Sequence, residues 1–300
     1  MSRRAKIFLG LGIYFAIGIL LFVIVGSDGK NEEFQPQEEF KLDPWIELKV
    51  GGLDLSINKA VLYLFLAAAF TTIAMTYIAK RMVDKPNRVQ TAVETAYDLT
   101  RNTIVGGNMD HRMALRWFPF VATLFFFILF SNLIGYIPLP VNSHEKVDVF
   151  GLEVPSFALY AATANLSIPL VLTLLVFFGY QVEGIRAKGL GNYFRGWIPS
   201  GTPPKMKPFI FVIEVISQFV RVISLSVRLF ANVLAGHLLI LFMGGGLAVL
   251  LGVAALGFFT LPLAIGFFLF EIVLIAGLQA FIFATLTSIY FGEATAAEGH

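Results

Sequence analysis

Residues 214–237, EVISQFVRVISLSVRLFANVLAGH, decide the fold, because they set Glu214, Arg221, Arg228 and His237 inside a long apolar tract. An arginine at the centre of a bilayer costs from roughly 3 kcal/mol on insertion scales to about 10–17 kcal/mol for a lone helix in simulation. Two of them need a reason. At about 100° per residue, Ser217, Gln218, Arg221, Ser224, Arg228 and Asn232 fall with Glu214 on one helical face roughly 120° wide. The remaining face is Val, Ile, Leu and Phe. Such a stripe looks onto water, onto polar partners or onto another protein; an ion-pair ladder closing a helix bundle is the plainer alternative. Arg221 and Arg228 lie two turns apart and can hold separate jobs. His237 falls off the stripe and can face a different helix.

The surrounding tract, 209–291, carries no formal charge besides Glu214, Arg221, Arg228 and Glu271. At about 1.5 Å per residue it is longer than two perpendicular crossings of a bilayer. It reads either as four spans or as fewer long, tilted helices interrupted at Gly244-Gly245-Gly246. The rest of the chain agrees with this environment. Of its 300 residues, 57% are hydrophobic and only 14% charged, where soluble domains carry roughly 25% charged residues. The mean hydropathy is +0.78. This composition excludes a soluble core and indicates an all-α, polytopic membrane protein with about five or six membrane helices. The net charge of +2 gives no argument for a nucleic-acid partner, and the absence of cysteine excludes disulfides and thiol chemistry.

Working outward, four further apolar runs are visible. Residues 7–26 follow the basic start Arg3-Arg4-Ala5-Lys6 and read as a retained anchor, with a cleaved signal as the competing reading. Residues 27–58 are acid-rich (Asp28, Glu32, Glu33, Glu38, Glu39, Asp43, Glu47, Asp54) and read as an external segment. The second run, 60–79, ends in Lys80 and Arg81, so that end is cytoplasmic by the positive-inside rule. Residues 87–115 are too polar to span. Val89, Val93, Ala96 and Leu99 form a helical stripe there, which predicts an amphipathic helix lying at the cytoplasmic interface. The third run is 117–141, the loop 142–155 is placed outside, and the fourth run is 157–180. A basic cytoplasmic loop with Arg186, Lys188, Arg195, Lys205 and Lys207 follows. No internal repeat relates two halves, as it does in many secondary transporters.

Chemical motifs of other kinds are missing. There is no phosphate-binding glycine loop, no dinucleotide fingerprint and no zinc-type spacing, so neither a cofactor nor a metal is expected. The Asn165-Leu166-Ser167 sequon lies within an apolar run and is discounted. Gly12 and Ala16 form a weak small-xxx-small pair. His237 with Glu271 could form a buried proton relay, although a lone intramembrane His is often a hydrogen-bonded packing residue. Gln279, Thr285, Thr287 and Tyr290 add polar groups near the C-terminus.

The stretch SLSVRLFANVLAG, residues 224–236, resembles the signature S-L-x-x-R-L-F-x-N-x-x-A-G of subunit a of the rotary F-type ATP synthase. Ser224, Leu225, Arg228, Leu229, Phe230, Asn232, Ala235 and Gly236 all fall in register. LQAFIFATLTSIY (278–290) resembles the family's second signature, and PNRVQTAVETAYDL, SNLIGYIP and TANLS look like further family segments. The resemblance covers roughly residues 45–292. It departs in three places. Glu271 stands eight residues before Gln279 where seven are expected, Arg221 stands where some relatives have Lys, and SNLIGYIP lacks acidic residues that some relatives carry.

The resemblance implies a stator that faces a rotating ring of c subunits, each with one carboxylate near mid-membrane. Two offset aqueous half-channels would load and unload that carboxylate, with Arg228 between them. It implies that Glu214 and Ser217 line the half-channel toward the cytoplasm and that Ser224 belongs to the proton pathway. Asn232 and Gln279 lie near the arginine, and His237 pairs with Glu271 in the outer half-channel. Long tilted helices would pack against the ring. The implied partners are the c ring, the peripheral-stalk subunit b, the F1 head through the complex, and membrane lipid. The implied location is an energy-transducing membrane, the bacterial plasma (inner) membrane. The chain has no nucleotide site and would not hydrolyse ATP alone. A stand-alone ion channel or secondary transporter is the alternative, and a passive anchor is a third. The expected organisation is an anchor and external segment (1–58), a subunit a membrane domain (59–292) and a C-terminal tail (293–300).

Overall fold

The computed structural model describes residues 3–25, 40–50, 53–54, 56–149, 152–199 and 201–296. Asp28, Glu32, Glu33, Glu38 and Glu39 of the acidic segment, and the last four residues of the tail, lie outside them. Ten α-helices, three π turns and two short hairpins make up the described chain. Six helices are long and apolar enough to cross a membrane, so the all-α polytopic class holds. They are 4–24, 59–80, 111–135, 167–188, 207–251 and 255–295.

Two corrections concern boundaries. Helix α4 (His111–Gly135) stops before the end of the third apolar run. The next residues form a hairpin of β3 (Leu139–Val149) with β4 (Leu152–Ala158), where the sequence suggested a loop at 142–155. Helix α5 (Ser167–Lys188) starts ten residues later than the start of the fourth run and extends to its basic end. The late start has a local cause. A 3-10 turn at Ala162–Ala164 precedes it, and the Asn165 side chain accepts from the Ser167 amide at 2.9 Å. The amphipathic segment is also shorter than expected. Helix α3 (Arg88–Asp98), capped by Asn87 through the Gln90 amide, runs into a π turn at Leu99–Val105. The face it buries carries Gln90, Thr100 and Ile104, while Val89 and Leu99 of the expected stripe are exposed.

The tract 209–291 resolves into two long helices instead of four spans. The first is α7 (Lys207–Leu241), which continues through a π turn at Phe242–Gly246 into α8 (Leu247–Leu251). The second is α9 (Ala254–Phe270), which continues through a π turn at Glu271–Ile275 into α10 (Ala276–Thr295). Their 45 and 41 residues would extend about 60–70 Å if straight, roughly twice the hydrocarbon thickness, so they cross tilted or bent. Gly252 sits between them at φ 72°, ψ 15°, a left-handed turn that glycine adopts without steric cost.

The chain divides into two compact units. One contains residues 60–137, 161–233 and 275–300. Its core joins Val121, Phe125 and Ile128 of α4, Val176 of α5, Leu225 and Leu229 of α7, and Phe283, Ala284 and Phe291 of α10. Two buried polar side chains of this core, Asn132 and Thr163, are hydrogen-bonded to each other. Thr163 donates to Asn132 Oδ1 at 2.8 Å, and Asn132 donates to the Ala276 carbonyl at 3.4 Å. These contacts bring the SNLIGYIP and TANLS segments together on α10.

Glu183 near the end of α5 is buried, and the half-exposed Arg116 of α4 donates to its Oε1 at 2.7 Å. Its Oε2 has Arg186 at 3.8 Å as a charge neighbour but no hydrogen bond. Arg116→Ala should therefore destabilise by roughly 1–3 kcal/mol, less than a fully buried pair because Arg116 is partly solvated. Arg116→Leu combined with Glu183→Leu should recover most of that loss. Thermal denaturation of the detergent-solubilised complex checks both, and an additive double variant would contradict the pairing.

The other unit contains residues 1–59, 138–160 and 234–274. Helix α1 (Arg3–Val25) packs on α9. Tyr14 stacks on Phe258 at 4.6 Å and donates to its carbonyl at 2.6 Å. The close approach is at Gly18, against the Phe259 ring; Gly12 and Ala16 are exposed, so the small-residue pair read from the sequence is not the contact. A short hairpin, β1 (Lys49–Val50) with β2 (Leu53–Asp54), precedes α2 (Lys59–Lys80).

Candidate functional site

The polar stripe of α7 is real, and it divides by environment. Ser224, Arg228 and Asn232, one turn apart, are exposed. Around them Phe219, Val220, Ile223 and Val227 are exposed as well. The Arg228 guanidinium makes no hydrogen bond or ion pair among the described residues. An arginine thus stands open on an apolar surface of membrane-spanning helix.

The earlier half of the stripe turns toward a cavity of about 210 Å³. Glu214, Gln218 and Arg221 line it from α7, Tyr180 from α5, Tyr193 from α6 (Leu190–Arg195), and Tyr290 and Glu293 from α10. The lining is one connected network. Gln218 donates to Glu214 at 2.8 Å and accepts from the Tyr180 hydroxyl at 2.8 Å. Tyr193 donates to Gln181 at 2.6 Å, and Gln181 approaches Gln218 at 3.5 Å. Burial pushes the Tyr193 phenol up from its ordinary value, so it stays a neutral donor. Arg221 donates to Glu293 at 2.6 Å, and its guanidinium lies 5.1 Å from the centre of the Tyr290 ring. Tyr290 thus lines the cavity next to the Arg221 guanidinium. Ser217 is half-buried and is not part of the lining. Gln279 is buried on α10.

In the other unit, His237 and Glu271 are both buried. The Glu271 carboxylate lies directly against Gly236, so close that a Cβ at that position would collide with it. Glu271 opens the π turn Glu271–Ile275. Bonding from i to i+5 takes up one extra residue. A spacing of eight that includes such a turn therefore has the helical phase of a spacing of seven without it, which accounts for the departure at Glu271.

The sequence reading missed three contributors. Glu293 was assigned to the tail, Tyr193 to a basic loop, and Glu183 lay unremarked just past the end of the fourth apolar run. The only trace of the first two was an aromatic or acidic side chain just beyond an apolar run, which is also where ordinary interfacial residues occur.

Comparison with known proteins settles the family. The ATP synthase A chain family matches residues 61–292. The chain belongs to that family. ATP synthase subunit a of Rubrobacter xylanophilus is 36% identical over 84% of this chain and 90% of its own. The subunit a proteins of Parvibaculum lavamentivorans and Hyphomonas neptunium are 32% and 31% identical, covering 86% and 88% of this chain and 92% and 97% of theirs. Its six apolar helices, together with the family, make it an integral membrane protein. Helix α1 lies outside the matched region.

Proposed function

We propose that this chain is the ion-conducting stator of an ATP synthase membrane sector in a bacterial plasma membrane. The observation that carries the reading is Arg228, exposed without a partner among apolar neighbours on α7. A permanent charge in that position is costly unless another subunit supplies an anion. A ring of c subunits, each with a membrane carboxylate, is the partner that fits. The guanidinium stays charged at any working pH and favours the ionised form of each passing carboxylate. That carboxylate releases its ion on one side and reloads from the other, and the same charge blocks a direct leak. Each unit charge crossing yields about 2.3 kcal/mol per 100 mV, and only rotation makes it available.

The cavity at Glu214 and Gln218 supports a half-channel open to the cytoplasm, since Arg186, Lys188 and Arg195 mark that side. His237 and Glu271 are assigned to the outer half-channel as a proton-relay pair, and Asn232 and Gln279 to the surroundings of Arg228. Subunit b and the F1 head complete the assembly. The chain has no native cysteine, which gives a clean test. Ser224→Cys and Asn232→Cys, each one turn from Arg228, should form disulfides with a cysteine placed mid-membrane on the ring subunit. A cysteine at buried Ala284 should not. Absence of both cross-links in the assembled complex would remove the ring-facing assignment.

A further inference from the structure

We propose that Glu293 is a charge-balancing residue of the cytoplasmic vestibule. It neutralises Arg221 so that cations can pass along the α7 stripe toward Arg228. The inference rests on the ion-translocation reading above and adds two residues to it.

The geometry carries the argument. Arg221 follows Glu214 and Gln218 on the stripe and precedes Arg228 by two turns, so an ion moving between vestibule and Arg228 meets it first. An unbalanced guanidinium there would repel every proton or metal cation on that path. Its counter-charge is Glu293 at 2.6 Å, with Arg221 only 30% exposed and Glu293 54%. Tyr290 lies beneath the guanidinium and holds it at the vestibule wall. The other charged and titratable groups facing the pair are Glu214, Lys188, Tyr180 and Tyr193. Among the described residues lining the cavity, Glu214 is the one further anion, and Gln218 already donates to it. Glu293 therefore has no substitute. It is also the first residue beyond the matched family region, so the family assignment gives it no role.

A plain staple between α7 and α10 would use the same contact, and such partly exposed pairs are worth little to stability. Charge neutralisation separates the two roles. ATP-driven proton uptake is measured in inverted vesicles carrying the whole complex and normalised to assembled ring. Glu293→Gln keeps the shape and one acceptor oxygen. It should slow uptake by about ten- to a hundredfold, as expected for one uncompensated charge in a partly aqueous site. The deficit should shrink as ionic strength rises. Arg221→Gln with Glu293→Gln should match Arg221→Gln alone and pump several-fold faster than Glu293→Gln, because the barrier leaves with the charge. The swapped pair Arg221→Glu with Glu293→Arg serves if a neutral variant assembles poorly. Native uptake in Glu293→Gln, or no recovery in the double and swapped variants, overturns the proposal. Arg228→Ala in the same preparation tests the underlying reading separately: normal pumping there overturns that reading, whereas native uptake in Glu293→Gln overturns only the role given to Glu293.

Discussion

Arg228→Ala abolishes ATP-driven proton uptake in inverted vesicles while the complex remains assembled: this is the largest effect expected from any single substitution here. Assembly should survive because the guanidinium has no hydrogen-bonded partner within the described chain and its side chain is exposed. Removing it orphans no buried group and relieves an apolar surface of a charge. Function should not survive. A guanidinium about 4 Å from a carboxylate stabilises the ionised form by roughly 4 kcal/mol at an effective dielectric near 20, a factor of about a thousand in ionisation. On the stator proposal, the ring carboxylate would then stay protonated as it passes, and no ion would be released. Passive proton leak, recorded in the same vesicles, should rise because nothing separates the two access paths. Arg228→Lys should also be severely impaired. An ammonium is a compact, strongly hydrated point charge that deprotonates when desolvated, whereas the guanidinium does not. Normal pumping in Arg228→Ala would make the stripe structural.

The stripe was legible in the sequence because helical periodicity is a property of side chains, and seven polar residues on one face cannot be hidden by apolar neighbours. For 209–291 hydropathy left four spans or fewer long, tilted helices open, because it records how apolar a tract is and not where its hydrogen-bond ladder is continuous. Four spans and two tilted helices have the same composition; the left-handed Gly252 decides between them. The π turn at Phe242–Gly246 lies on the glycine run read as an interruption. The one at Glu271–Ile275 was detectable only as a spacing of eight where seven was expected. The β3–β4 hairpin was missed because its register shifts between Pro140, Asn142 and Lys146 break the strict alternation by which a strand is read. Burial of Glu183 beneath Arg116 depends on two helices meeting 67 residues apart in sequence, a fact no local pattern encodes.

Gly236→Ala should reduce proton uptake by about ten- to a hundredfold, the scale of one overpacked contact of roughly 1–3 kcal/mol acting on a functional group. The cause is specific. A Cβ at 236 meets the Glu271 carboxylate, and the shift needed to relieve it moves that carboxylate away from α7. Both Glu271 and the adjacent His237 are buried, so the carboxylate has little freedom to relocate. The neighbouring Ala235 is exposed, and Ala235→Ser should be near native, which controls for disturbance of the helix itself. If displacement of Glu271 is the cause, Gly236→Ala combined with Glu271→Asp, which shortens the side chain by one methylene, should regain part of the lost rate. A pairing of His237 with Glu271 adds its own requirement. His237→Glu with Glu271→His should retain more uptake than either single replacement, because the exchange preserves one imidazole and one carboxylate in the same buried space. Equal loss in all three variants would leave Glu271 acting alone. Native rates in Gly236→Ala would mean that the glycine's contact with the carboxylate has no part in ion transfer.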